Sequence, residues 1–159
     1  MSIRRAEARD IPDVLKLLTQ VDMVHHLGRP DLFNGPATKY TAEELAAIFP
    51  DDRRPVFVLT DEADARVLGY AFCILQEHPG DHILTNIRTL YIDDICVDED
   101  CRGQGVGRRL YEHALAHARS LGCHNVTLNV WACNPGAMRF YERLGMRVQK
   151  VGMETVLDP

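Results

Sequence analysis

Apolar positions along this chain switch between a helical and a strand period, and the switches predict its elements. Ser2 to Glu7 reads as a short strand. Asp10 stands at an N-cap position, with Pro12 and Asp13 in the first turn behind it. Val14, Leu15, Leu17, Leu18 and Val21 then recur on one helical face. From His25 to Tyr40 the periodicity is lost in favour of Gly, Pro, Asp and Asn, over a length that predicts a functional or mobile loop. Thr41-Ala-Glu-Glu44 is a capping-box pattern that opens a short helix to about Phe49.

Pro55 to Thr60 and Val67 to Gln76 read as strands of an antiparallel hairpin turned by Asp61, Glu62, Ala63 and Asp64. Leu84 to Val97 is a further extended stretch. Gly105 to Leu121 is helical, with Leu110, Ala114, Leu115 and Ala118 as its apolar stripe and Gly122 at its C-terminal cap. His124 to Trp131 reads as a strand, Pro135 to Leu144 as a helix, and Arg147 to Leu157 as a closing strand or hairpin. The order β-α-α-β-β-β-α-β-α-β predicts a mixed α/β fold with one buried βαβ unit in its C-terminal half. With no repeat and no Ser/Gly linker, residues 1–159 are expected to form a single domain.

Composition narrows the function. The 159 residues are 46% hydrophobic and 26% charged, ordinary globular values. A formal charge of −5 argues against a nucleic-acid duplex as partner and tolerates a cationic one such as an amine. No apolar run approaches the ~20 residues of a membrane span, and no apolar signal core follows Met1. The five cysteines form no C-x-x-C pair, which predicts reduced thiols and a cytoplasmic protein.

The densest chemistry lies between Leu90 and Arg108. In Val97-Asp-Glu-Asp-Cys-Arg-Gly-Gln-Gly-Val-Gly-Arg108 a strand feeds a glycine-rich turn that opens a helix. Glycines let a ligand approach the backbone, and the first N–H groups of a helix favour an anion such as pyrophosphate. A P-loop would need Lys-Ser or Lys-Thr after the glycines, and a dinucleotide fingerprint would need glycine where Arg108 stands. A glycine-rich turn without a ligand is the remaining alternative. Just upstream, strand alternation places Tyr91, Asp93, Ile95 and Val97 on one face and Ile92, Asp94 and Cys96 on the other. Unpaired buried charge is expensive. At least one of the two carboxylates is therefore expected to face a cavity, unless it pairs with an arginine such as Arg88.

Arg102-Gly-Gln-Gly105-Val-Gly107 matches R-x-x-G-x-G and resembles the acetyl-CoA pyrophosphate loop of the GNAT acyltransferase superfamily. Asn134-Pro-Gly-Ala137-Met-Arg-Phe140-Tyr141-Glu-Arg-Leu-Gly145-Met146 is similar to that superfamily's N-x-x-A-x-x-F-Y-x-x-x-G-F signature, with Met146 in place of Phe. The resemblance implies a mixed, mostly antiparallel sheet, splayed at the acetyl-CoA site and flanked by helices on both faces. It implies that Ile95, Cys96 and Val97 hold the pantetheine arm and thioester through backbone groups. Arg102, Gly103, Gln104, Gly105, Val106, Gly107 and Arg108 would cradle the pyrophosphate, and Asn134 would meet the pantetheine. Tyr141 would protonate the departing thiolate; the alternative for Tyr141 is a core aromatic paired with Phe140.

Leu90-Tyr-Ile-Asp-Asp-Ile-Cys-Val97 is also similar to the Y-L-E-D-F-F-V strand of polyamine acetyltransferases, in which the acidic residue matching Asp93 contacts substrate. That implies Asp93 as amine anchor or water-mediated base, with Asp94 second. His26 and Asp31 stand in the region that shapes the acceptor site in GNAT-like chains, so each is a substrate-binding candidate beside the plain-loop reading. Relatives that acetylate protein N-termini often carry a base Glu five residues before the Asn; this chain has Asn129 there, and an amide is no base at neutral pH.

Elsewhere, His113 and His117 stand one helical turn apart without a third ligand at suggestive spacing, so they read as solvated and no metal is expected. Sequence places no base beside Cys96 or Cys101, and Trp131 reads as a core residue. The resemblance implies acetyl transfer from acetyl-CoA to a primary amine by direct attack in a ternary complex, with a small cationic acceptor. The alternatives are a peptide N-terminus or lysine as acceptor, or a CoA-binding regulatory domain without catalysis. The superfamily also admits a homodimer.

Overall fold

The structure is a computed structural model that describes residues 1–158. It divides into two compact units, Met1–Asn129 and a second that begins at Val130. The first holds one sheet in the order β1 (Ser2–Arg5), β2 (Val56–Thr60), β3 (Val67–Gln76), β4 (Thr89–Val97), β5 (Asn125–Leu128). Its helices are α1 (Ile11–Gly28), α2 (Ala42–Ile48) and α3 (Val106–Ser120). Neighbouring strands are antiparallel except β4 and β5, which run parallel because α3 crosses between them.

β3 is the central strand, and Val67 to Cys73 are buried throughout. Its successive side chains serve opposite faces. Tyr70 and Phe72 join Val14, Leu17 and Leu18 of α1 and Leu45 and Ile48 of α2 in one core. Gly69 faces α3, where a Cβ would lie 2.9 Å from Val106 Cγ1 and 2.9 Å from the Cys96 carbonyl oxygen. Helices therefore cover both faces of a mixed, mostly antiparallel sheet, as the resemblance implies. The Thr41–Glu44 capping box is present, each side chain meeting the other's backbone N–H at 3.1 Å.

Several expectations are corrected. β1 ends at Arg5. The Asp10 carboxylate does not cap α1; it takes both Arg4 guanidinium nitrogens at 2.8 and 2.9 Å and the Glu7 amide at 2.7 Å. α1 continues to Gly28, so His25 and His26 belong to its last turn and the irregular segment begins after it. β4 starts at Thr89, where Gln76 at the end of β3 and Asn125 at the start of β5 first pair with it; upstream, the Asp81 carboxylate gathers the Ile83 and Leu84 amides into a turn. His113 and His117 are not merely solvated: both rings lie edge-on to Phe57, at 4.6 and 5.1 Å.

The second unit carries α4 (Pro135–Arg143). Asn134 caps its start by accepting the Ala137 amide at 3.3 Å. Its end is a Schellman arrangement in which Gly145 adopts φ +102° and the Met146 amide reaches the Tyr141 carbonyl at 3.1 Å. The expected closing strand is absent: residues 147–157 join no ladder, and Val151 and Met153 are exposed. Apolar strand-forming residues become a strand only where a neighbour supplies hydrogen bonds. Trp131 is also exposed, because β5 stops at Leu128 and a turn follows.

Candidate active site

The site is built on an irregularity in β4. Cys73 pairs with Ile92 and Phe72 with Asp94, leaving Asp93 as an extra residue, a bulge. Alternation breaks there. Asp93 and Asp94 both turn to the face that carries Phe72, against the expectation of opposite faces. Two tyrosines pack on the Phe72 ring and divide the carboxylates between them. Tyr40 stacks on it at 5.5 Å and donates to Asp93 at 3.0 Å. Tyr70 meets it edge-on at 4.9 Å and donates to Asp94 at 2.6 Å.

The two carboxylates differ in charge balance. The Lys39 ammonium contacts both oxygens of Asp93, at 2.8 and 2.7 Å. Arg88, the alternative partner considered from sequence, bonds instead to Glu77 at 3.1 Å and the Leu121 carbonyl at 2.8 Å. Burial pushes the Asp94 carboxyl up to about 6; the Tyr70 hydrogen bond pulls the other way, and the Asp93 charge adds to the rise. Burial and Asp93 raise the Tyr40 phenol, and burial with Asp94 raises that of Tyr70. Both phenols are therefore donors at neutral pH.

β5 pairs with β4 only from Thr89 to Ile92. Residues 93–97 continue with no ladder partner on that side among the described residues, so the sheet opens where the resemblance implies a splay. Gln20 of α1 fastens this strand end: its amide nitrogen donates to the Val97 carbonyl at 2.9 Å, and its oxygen accepts from the Glu99 amide at 3.2 Å. Cys96 is buried, which pushes its thiol up to about 12. A thiol so protonated is a poor nucleophile.

The glycine-rich turn follows. Asp98 is buried and anchors it, accepting from the Asp100 amide at 3.0 Å and from Arg66 at 2.8 Å. Those two partners hold its carboxyl below the usual range against the pull of burial. Gly103 and Gly105 take φ +81° and +76°, the left-handed region that favours glycine. No atom lies within 4 Å of where a Cβ on either would stand. Gly105 is the N-cap of α3 and brings no side chain to the amides that follow, those of Val106, Gly107 and Arg108. Arg102 and Gln104 are exposed. Arg108 is exposed too, and pairs with Glu112 at 2.9 Å.

The remaining candidates each have partners within their own unit. The His26 Nδ1 contacts the Phe33 carbonyl at 2.7 Å, and Asp31 is bound to Arg29 at 2.8 Å. Both therefore serve the local chain after α1. Asn129 donates to the Tyr91 hydroxyl at 3.1 Å. In the second unit, Asn134 uses its side-chain oxygen as the α4 cap, and the half-buried Tyr141 meets Phe140 edge-on at 5.1 Å.

Sequence reasoning missed Lys39, Tyr40, Tyr70, Gln20, Arg66 and Asp98. Tyr70 had a signal, since a phenol inside an apolar strand needs a partner for its hydroxyl. Asp98 had another, an Asp between a strand end and a turn. For Gln20 and Lys39 nothing local points to β4.

Known proteins resemble this chain in sequence and in fold. The sequence model of the acetyltransferase (GNAT) family matches residues 21–146. Glucosamine 6-phosphate N-acetyltransferase 1 of Oryza sativa is 35% identical over 70% of this chain, which spans 62% of the rice protein. Peptidyl-lysine N-acetyltransferase YjaB of Escherichia coli is 30% identical over 93% of this chain and 83% of its own length. Among solved structures, a tetramutant of the BH1408 protein of Bacillus halodurans superposes with a TM-score of 0.93 at 33% identity, covering 99% of this chain and 100% of that one. With a family match over its residues 21–146, and with 93% of its length 30% identical to a relative, the chain belongs to the acetyltransferase (GNAT) family.

Proposed function

We propose that this protein transfers an acetyl group from acetyl-CoA to a primary amine by direct attack in a ternary complex, in the cytoplasm. The observation that carries the reading is the β4 bulge: it gathers two carboxylates on one face, immediately before a strand end that β5 leaves unpaired and an anion-receptive turn. The turn fits a pyrophosphate. Its two left-handed glycines leave the backbone uncovered, and the amides of Val106, Gly107 and Arg108 open a helix whose N-cap has no side chain. Arg102 and Arg108 add cationic charge to the same turn.

When bound, acetyl-CoA supplies an acetyl group activated as a thioester. Backbone groups of Ile95, Cys96 and Val97 would align it along the strand end, where a fixed N–H steadies negative charge on a carbonyl oxygen. Asp93 binds the acceptor ammonium. Asp94, largely ionised above about pH 6, takes the proton that the ammonium must lose. Tyr141, assigned by resemblance, would protonate the departing sulfur and recover a proton from the nitrogen as the C–N bond replaces the C–S bond, so the amine leaves acetylated and CoA leaves as thiol. Asn134 holds the start of the helix that bears Tyr141.

The acceptor read from sequence is a small cationic amine, and the rice relative's name agrees with a small amine. A protein lysine, the acceptor class in the name of the E. coli relative, has one observation of its own: a lysine ammonium, that of Lys39, already fits Asp93. The test is CoA-thiol release from acetyl-CoA with glucosamine 6-phosphate, spermidine, an aminoglycoside and a lysine peptide. The reading expects release with one class of amine. Thermal stabilisation by NAD or ATP but not by CoA contradicts it.

A further inference from the structure

Resting on the reading of Asp93 as amine anchor, we propose that Lys39 is an internal competitor whose ammonium occupies the acceptor's place, so that a cationic acceptor binds by displacing it. The Asp93 side chain is only 11% exposed, whereas that of Lys39 is 52% exposed. A carboxylate so placed has little access to water and needs donors. It has two, the Tyr40 hydroxyl at 3.0 Å and the Lys39 ammonium at 2.7 and 2.8 Å.

The two donors are held differently. Tyr40 is half-buried and stacked on Phe72. Lys39 has no such seat, and half of its side chain already faces water. Its ammonium also lies 5.6 Å from the Tyr40 ring centroid, so one aromatic face and one carboxylate together define a cation position. The backbone just before it is tethered through the Ala37 amide, which donates to Asp22 at 3.0 Å. The lysine side chain can thus swing into solvent while Tyr40 and the backbone stay in place. What it vacates is a position already shaped for a primary ammonium: three N–H donors, one carboxylate, one ring face.

Exchange of this kind is energetically modest. A half-exposed ion pair contributes up to about 1 kcal/mol, so Lys39 weakens a competing ammonium by about two- to fivefold. The acceptor subsite is therefore charge-balanced before substrate arrives, and a monovalent amine gains less there than a bare carboxylate would give. A polyamine keeps its other charges for contacts elsewhere.

The experiment is calorimetric binding of spermidine to the CoA-saturated protein, comparing wild type, Lys39→Met, Lys39→Arg, Asp93→Asn and the Lys39→Met/Asp93→Asn double variant. The expected result is a Kd lower by about two- to fivefold in Lys39→Met, wild-type affinity in Lys39→Arg, and no effect of Lys39→Met once Asp93 is Asn. An unchanged or higher Kd in Lys39→Met overturns the proposal, as does failure of that variant to bind spermidine at millimolar concentration. If Asp93→Asn weakens binding while Lys39→Met changes nothing, only the competitor role falls. If Asp93→Asn binds as wild type does, the anchor reading itself falls and the competitor role with it.

Discussion

The bulge of β4 and the glycine turn after it lie within a dozen residues of each other, yet they handle charge in opposite ways. The turn offers backbone: Gly103 and Gly105 in left-handed conformations, then the open amides of α3. It suits an anion, and it is anchored by the buried Asp98 carboxylate, which accepts from the Asp100 amide and from Arg66. The bulge offers side chains, two carboxylates turned to one face and shared out between two tyrosines. It suits a cation, and the Lys39 ammonium already lies on Asp93. The resemblance read from sequence rests on the turn and the α4 signature, whereas the proposed acceptor contacts lie at the bulge and in the segment that ends in Lys39 and Tyr40. A single variant on each side separates the two sites, because each should move one substrate's parameters and leave the other's alone.

The largest expected effect is at Asp94. Asp94→Asn removes the proposed proton acceptor and should lower kcat by about a hundredfold, with acetyl-CoA KM unchanged. Its stability should move the other way. The native carboxyl titrates at about 6 and an unfolded one at about 3.9. The folded state thus holds the proton more tightly, and this group's contribution to stability falls as pH rises through that interval. Asp94→Asn should be more stable than wild type above pH 6, by about 1–3 kcal/mol, with the gap closing towards pH 4. Urea unfolding at several pH values reads both limbs. A wild-type kcat would move the proton acceptor elsewhere.

An intermediate effect is expected in the turn. Gly105→Val forces a branched side chain to φ +76°, a strain of about 1–2 kcal/mol, and should raise acetyl-CoA KM about tenfold with little change in acceptor KM. Bisubstrate kinetics check this directly. The smallest effect is at Asp98. Asp98→Asn keeps an acceptor for the Asp100 amide but loses the ion pair with Arg66, and should raise acetyl-CoA KM about twofold to threefold. A change in acceptor KM instead would break the division between the two sites.

Much of this was legible in the chain and some was not, for physical reasons. The Thr41 capping box, the Asp61–Asp64 hairpin and the parallel crossover through α3 are local patterns, and each appears as its residues predict. The signature Asn134 and Gly145 prove to be the two caps of α4, so part of that motif is helix chemistry. The facing of Asp93 and Asp94 was misread because a bulge is set by pairing with β3, and alternation along β4 alone carries no trace of it. Lys39 could not be found from sequence, since its contact with Asp93 spans 54 positions. Residues 147–157 have strand composition but no ladder, because composition supplies a tendency and pairing decides.

The most direct test of the whole account is two-substrate steady-state kinetics on Asp93→Asn, using the amine that gives the fastest CoA release. Loss of a charge-assisted hydrogen bond of about 1.5–3 kcal/mol, offset by the up to about 1 kcal/mol of Lys39 pairing that the acceptor displaces, should raise acceptor KM by about two- to thirtyfold and leave acetyl-CoA KM at the wild-type value. A raised acetyl-CoA KM with acceptor KM unmoved would contradict it, and would place Asp93 on the cofactor side of the site.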